Sequence, residues 1–151
     1  MPSGFTYRSG PCQFKKRVST ASTAIVPGDA VGLTSGKLVV QATGYKNEGV
    51  AQATKLVGDA ATTSVLVLRP LTGRTTFRAY EKRATGSLAA TNEGGQCDIS
   101  GASGAMGFDS SSNSKGDVYL SEVLKVGASN VAIASIAFAD PAWVTTSVAA
   151  T

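Results

Sequence analysis

Histidine is absent from this 151-residue chain, and cysteine occurs only twice, at Cys12 and Cys97. Histidine is the commonest metal ligand and the side chain whose ordinary pKa lies nearest neutral pH. Its absence excludes histidine-based catalytic triads and most catalytic zinc sites. It also leaves a thiol nucleophile at Cys97 without an imidazole base. The sequence therefore predicts a structural or binding protein, not an enzyme, with no catalytic residues, no metal and no cofactor.

Aromatic residues and long apolar runs are also scarce. Phe, Trp and Tyr make up 7% of the residues, so smaller apolar side chains must fill most of the core. The longest mainly apolar stretch, residues 131–139, has the length of a strand and falls far short of the ~20 residues of a membrane-spanning helix. Residues 1–7 lack the basic and apolar segments of a secretory signal. We therefore expect no membrane association, and folding in a cytoplasm that keeps both cysteines reduced.

The residues that are abundant favour short strands joined by tight turns. The chain holds 17 glycines and many Val, Thr, Ser and Ala residues, and no segment shows a convincing helical pattern. Residues 30–33 and 37–42 form a candidate hairpin around a turn at 34–36. The length suits one domain, so we predict an all-β, single-domain β-barrel or β-tulip/sandwich. Further strands are predicted at 20–26, 49–56, 65–68, 74–80, 96–99, 117–126 and 131–139.

The first 17 residues differ from the rest of the chain. Prolines and glycines interrupt regular structure there, while Phe5, Tyr7 and Phe14 offer aromatic surface to bury. Such a segment packs either on its own domain or on a neighbouring subunit. The predicted division is an extended N-terminal arm over 1–17, a β domain over 18–144 with long surface loops at about 84–116, and a C-terminal tail over 145–151.

The formal charge of +4 is distributed unevenly along the chain. Residues 1–17 hold four bases and no acid, and residues 69–83 hold five bases and one acid. Residues from 84 onward hold two bases and six acids. This division predicts a molecule that meets its neighbours through complementary charged surfaces. The modest total charge and the lack of a long basic run argue against nucleic acid as the partner.

The second basic segment coincides with a predicted strand at 74–80. Alternation along that strand places Arg74, Thr76, Arg78 and Tyr80 on one face and the intervening residues on the other. This basic stripe is either a solvated edge strand, whose charges discourage aggregation, or a partner-binding face.

Part of the sequence resembles a known family of virion proteins. Residues 25–33 contain the turn Pro27-Gly28-Asp29, residues 37–40 form the returning strand, and Gly49-Val50-Ala51 follows. Across roughly residues 20–68 these segments resemble capsid decoration (cement) proteins of tailed bacteriophages. The resemblance implies a small β-barrel or tulip without catalytic residues. It also implies a virion protein, made in the host cytoplasm, that binds the major capsid protein on the outer surface of the capsid, often as a homotrimer.

The basic and aromatic residues of the two basic segments are the candidates for this contact. Replacing the three aromatic residues of the arm with Ala is predicted to abolish capsid binding and leave the domain folded. Two alternatives stay open: a self-assembling major capsid or tail-tube subunit, and a carbohydrate-binding, adhesin-like β domain that uses Trp143 and the 100–116 loop. The predicted partner-binding residues are Phe5, Tyr7, Arg8, Phe14, Lys15, Lys16, Arg17, Arg74, Arg78, Lys82 and Arg83.

Overall fold

Antiparallel strands dominate the computed structural model, so the fold is all-β, as the sequence predicts. The structure describes residues 3–19, 24–34, 36–40, 46–56, 63–71, 74–83, 85–113 and 116–139. One short 3-10 turn lies at Ala90–Asn92, and no helix in these ranges is long and apolar enough to cross a membrane. The strands are β1 (Thr6–Ser9), β2 (Cys12–Val18), β3 (Ala30–Thr34), β4 (Lys37–Val40), β5 (Lys46–Ala51), β6 (Ser64–Pro70), β7 (Thr76–Tyr80), β8 (Ser87–Leu88), β9 (Gln96–Ser100), β10 (Gly107–Asp109), β11 (Val118–Lys125), β12 (Gly127–Ala128) and β13 (Ile133–Phe138).

The strands form two large sheets and one small one. The larger sheet has the order β1-β7-β13-β11-β9-β10, and the five-stranded sheet has the order β2-β6-β5-β3-β4. Strands β8 and β12 pair separately. The predicted hairpin is confirmed, because β3 and β4 pair from Val31↔Val40 to Thr34↔Lys37.

The main core lies between the two large sheets. Strand β13 is buried along its whole length, and Phe77 and Phe138 meet edge to face with ring centroids 5.2 Å apart. Leu68 and Val50 of the five-stranded sheet belong to the same cluster. Contacts of this kind are stabilised by apolar burial and by the preferred aromatic geometry. The two sheets therefore pack face to face.

A second, smaller core covers the other face of the five-stranded sheet. Ile25, Val31, Leu38, Val65 and Val67 are each at most 1% exposed and pack together there. An isolated parallel bridge between Ser19 and Leu38 brings the end of β2 against β4, the opposite outer strand. Side chains on both faces of β6 are therefore buried or half-buried from Val65 onward, which explains its continuous apolar run.

The predicted N-terminal arm is corrected by the structure. Strand β1 pairs with β7, and β2 pairs with β6 over seven consecutive residues, from Cys12↔Pro70 to Val18↔Ser64. Gly10 turns the chain between the two sheets at φ +96°, and a Cβ there would lie 2.6 Å from the Cα of Thr75. Gly10 and Pro11 thus form a corner between β1 and β2, and residues 6–18 are part of the domain.

The predicted surface loop at 100–116 contains a strand and part of the core. Met106 and Phe108 are fully buried, and Phe108 lies in β10, which pairs with β9. Because this region is rich in glycine and serine, its composition predicts a loop, and the three-residue strand β10 was not predicted. The loop prediction is wrong for residues 106–109.

Two other predictions about strand faces have different outcomes. On β7 the predicted alternation is confirmed, since Phe77 and Ala79 are buried and Arg78 is exposed. However, β7 lies between β1 and β13, so the interpretation as an edge strand is wrong. On β11 the register shifts between Leu120 and Glu122, which turns Glu122 outward. Strict alternation over 117–126 would place Glu122 on the same face as Val118 and Leu120, which are both buried, and the β-bulge removes this charge from that face.

Candidate interaction surface

Acidic side chains are mostly buried in this protein, whereas basic side chains are mostly exposed or half-buried. The structure describes eight acidic side chains, five of them buried, and twelve basic side chains, of which only Lys55 is buried. A buried carboxylate is stable only when it is paired or accepts hydrogen bonds. The described surface is therefore predominantly basic. The buried carboxylates are Asp29, Glu48, Glu81, Asp98 and Asp117.

Asp29, in the predicted Gly-Asp turn, joins two distant loops. Its carboxylate accepts hydrogen bonds from the amide of Val26 at 3.0 Å, the hydroxyl of Ser103 at 2.5 Å and the amide of Gly104 at 2.9 Å. The amide of Phe5 donates to the carbonyl of Gly28 in the same turn at 2.8 Å. The turn therefore fixes the N-terminal segment and the 101–105 loop to one place.

Glu81 has a similar role at the end of β7. One oxygen, Oε1, accepts from the amides of Lys82, Arg83 and Ser110 at 3.1, 2.9 and 3.1 Å. The other oxygen accepts from the Ser110 hydroxyl. The Arg83 guanidinium donates to the carbonyls of Thr85 and Ser87, each at 2.8 Å. This hydrogen-bond network holds three loops together and occupies Arg83 internally.

Asp98 and Asp117 lie beside the buried cysteine and not on the surface. Asp98 accepts from the Ser112 hydroxyl at 2.6 Å and the Gly116 amide at 2.9 Å, and Asp117 accepts from the Ile99 amide at 3.1 Å. The predicted acidic C-terminal surface is therefore wrong for these two residues. Among the residues described, no group of three or more Cys, Asp or Glu side chains is arranged to hold a metal ion.

Cys97 is expected to be inert in the native protein, whereas Cys12 is partly exposed and is expected to react. Cys97 is 1% exposed, and burial, followed by the charges of Glu81 and the neighbouring aspartates, raises the pKa of its thiol well above the ordinary value. Both cysteines are free, and Cys12 is half-buried on an outer strand. Titration with a thiol-specific disulfide reagent at pH 8 should detect one rapid thiol in native protein and two in urea. Two rapid thiols under native conditions would contradict this assignment, and a Cys12→Ser variant is the control.

The first group of predicted contact residues lies on β2, an outer strand of the five-stranded sheet. Phe14 is 62% exposed, and Lys15 and Lys16 are exposed as well. Arg17 faces inward, with its Nε 3.4 Å from Oε2 of Glu48, whose other oxygen accepts from Arg69 at 2.7 Å. Three of the four residues are thus placed for contact with a partner, and Arg17 is placed beside a buried carboxylate.

The second group lies on the outer face of the six-stranded sheet. Tyr7, Arg8 and Arg78 line one shallow groove of about 580 Å³. Sequence reasoning missed Lys125 and Leu124, which also line it. They follow the β-bulge in β11, and no local sequence signal marks that register shift. The groove brings together residues of both basic segments, which the pairing of β1 with β7 makes possible.

The remaining predicted residues are dispersed. Phe5 is 2% exposed and packs in the main core, so its predicted role as a partner contact is wrong. Lys82 donates to Oδ1 of Asn130 at 2.6 Å, and its partial burial lowers its pKa. Arg74 is exposed at the turn before β7. Trp143 and the predicted tail over 145–151 lie outside the described residues.

Comparisons with known proteins do not assign the chain to a family. No protein-family model matches the sequence, and no curated protein matches it. The resemblance to capsid decoration proteins therefore stays a prediction.

Proposed function

We propose that this protein is a non-enzymatic virion structural protein that binds and stabilises the outer surface of a phage capsid. The observation that carries the proposal is the separation of charge: among the side chains that the structure describes, five carboxylates are buried and eleven basic groups are not. A surface of this kind favours attachment to an acidic partner and steers the encounter. The capsid as the partner rests on the resemblance of residues 20–68 to decoration proteins.

The arrangement of hydrogen bonds is consistent with a rigid binding module. Asp29 and Glu81 each hold several loops by accepting hydrogen bonds from backbone amides and serine hydroxyls. A pre-organised surface loses little conformational entropy when it binds. Many identical weak contacts, repeated over a shell, would then stabilise that shell by avidity.

A self-assembling shell or tube subunit is the second candidate function. Strand β2 is an outer strand of its sheet and carries the most exposed aromatic side chain described, Phe14. An unprotected outer strand can pair with a strand of another copy. Lys15 and Lys16 oppose this pairing by charge repulsion, so attachment to a separate acidic shell is favoured.

Light scattering and co-sedimentation separate these functions. The mass of the purified protein is measured first, and the protein is then centrifuged with and without capsids from the same phage, at low and high salt. The proposal expects a monomer or small oligomer that pellets only with capsids, and less so at high salt. Large assemblies without capsids would favour the self-assembling subunit. A soluble species indifferent to capsids would overturn both, and glycan arrays would then test the adhesin-like alternative.

A further inference from the structure

The groove on the outer face of the six-stranded sheet combines basic and aliphatic side chains. Strands β1, β7, β11 and β13 form it, and the lining includes Arg8, Arg78, Lys125, Leu124 and Ile133. None of its lining residues is acidic. Neither Arg78 nor Lys125 has an ion-pair partner among the residues the structure describes. The groove thus offers two cations that form no ion pair with any described residue, beside apolar surface.

The protein already places one carboxylate at the side of this groove. The guanidinium of Arg8 lies 3.0 Å from Oε1 of Glu122, and the two side chains are 40% and 52% exposed. Since β7 and β13 lie between their strands, this ion pair crosses the outer face of the sheet. An exposed pair of this kind contributes little stability. A carboxylate from another chain could therefore replace Glu122 at little cost.

A buried hydroxyl lies in the same register. Ser135 pairs with Arg78 on one side and with Glu122 on the other, so the three residues follow one line across the sheet. The Ser135 side chain is fully buried, and its Oγ has no hydrogen-bond partner among the described residues. An unsatisfied buried hydroxyl is costly. Ser135 does not line the groove, so recognition of a ligand there rests on the cations and the aliphatic side chains.

From these observations we propose that the groove binds an extended acidic segment of a partner polypeptide, with carboxylates at the basic residues and an aliphatic side chain against Leu124 and Ile133. A polypeptide fits better than a nucleic acid because Tyr7, the one aromatic residue in the lining, pairs with Phe77 and turns its ring towards that residue, away from Arg78. That ring packs edge-on against Phe77, and its hydroxyl donates to the carbonyl of Gly10 at 2.6 Å. Nucleic-acid grooves generally present aromatic faces on which bases stack. Under the function proposed above, this partner is the major capsid protein, and its identity rests on that proposal.

The binding test uses a short synthetic peptide of repeated Glu-Leu-Asp-Ser units. Amide chemical shifts of the labelled protein are followed by NMR during titration, and a peptide with Gln and Asn in place of the acids is the ligand control. We expect shifts concentrated at the groove residues, and none with the neutral peptide. Shifts spread over the basic surface, or none at all, would overturn the inference. Oligothymidylate that binds the groove as tightly as the peptide would assign it to nucleic acid and overturn the inference as well.

Matched charge variants locate the interaction. Arg78→Glu should weaken peptide binding by about tenfold or more, because it sets like charges against each other. Lys37→Glu makes the same charge change on β4 of the other sheet, and should alter affinity by less than about twofold. Glu122→Gln frees Arg8 and should tighten binding about two- to fivefold. Lys125→Glu is the second groove variant in case the first does not fold. Equal weakening by the groove and control variants would overturn the inference.

Two further outcomes distinguish this inference from the proposed function. If Arg78→Glu abolishes peptide binding while the wild-type protein ignores capsids, the groove is confirmed and the capsid role is contradicted. If the variant pellets with capsids as well as wild type does, the groove is not the capsid contact. Amide chemical shifts of the groove residues that change with protein concentration, before any peptide is added, would show that a second copy of the chain binds there. That result would overturn the inference.

Discussion

Replacing Phe5 with Ala is expected to lower the free energy of unfolding by about 3–4 kcal/mol, as for other buried aromatic residues. Phe5 is 2% exposed, and its ring lies 5.6 Å from that of Phe138 between the centroids. The truncation would leave a cavity beside Phe138 in the main core. Urea unfolding, followed by circular dichroism, measures the loss.

Phe14→Ala is the matched control for this substitution. Phe14 is 62% exposed, so its removal should change the free energy of unfolding by no more than about 0.5 kcal/mol. A Phe5→Ala protein as stable as wild type would contradict the packing of the N-terminal segment. The triple alanine replacement predicted from the sequence would not test binding, because the loss of Phe5 destabilises the domain. Variants of Tyr7 and Phe14 alone are the suitable ones.

Replacing Glu81 with Ala is expected to lower the free energy of unfolding by about 3 kcal/mol or more. The carboxylate is fully buried, and its loss would leave the amides of Lys82, Arg83 and Ser110 and the Ser110 hydroxyl without their acceptor. Each buried donor without a partner is costly. Denaturant unfolding again gives the magnitude, and hydrogen exchange at these three amides should become faster.

Two other variants define the cause. Glu93→Ala removes an exposed carboxylate that accepts one hydrogen bond, from the Val123 amide at 2.8 Å, and should cost no more than about 1 kcal/mol. Glu81→Gln keeps the shape of the side chain and an oxygen acceptor. Its decrease in the free energy of unfolding should therefore lie between the decreases of the two alanine variants. Equal stability of Glu81→Ala and Glu93→Ala would mean that the buried network is not a source of stability.

The parts of the fold that the sequence predicted are those governed by local pattern. Alternation identified the buried face of β7, where Phe77 and Ala79 point inward. A tight turn between two apolar segments identified the β3–β4 hairpin. In these cases the residues that determine the outcome are neighbours in the chain, so period and turn chemistry were sufficient.

The parts that were missed depend on pairs far apart in the sequence. The hydroxyl of Ser103 donates to Asp29 across 74 residues, and the Ser110 amide donates to Glu81 across 29 residues. Burial of a charged residue follows from partners of this kind, and no local signal identifies them. For the same reason Asp98 and Asp117 were wrongly assigned to an acidic surface, whereas Glu93 and Glu122 of the same part of the chain are exposed. The candidate groove was recognised only in part, through Tyr7, Arg8 and Arg78.

The corner at Gly10 has a consequence for how the chain folds. The turn places the adjacent strands β1 and β2 in different sheets. Each strand pairs with a strand that is synthesised much later, since Thr6 pairs with Arg78 and Cys12 pairs with Pro70. The earliest strands of the sequence therefore complete their hydrogen bonding only after about half of the chain has been synthesised. Topologies dominated by such distant pairings fold slowly, because loop closure must precede the contacts that reward it. Phe5 stays exposed to solvent for longer still, because its partner ring, Phe138, is made near the end of the chain, and exposed apolar surface of this kind makes an incomplete chain prone to aggregation.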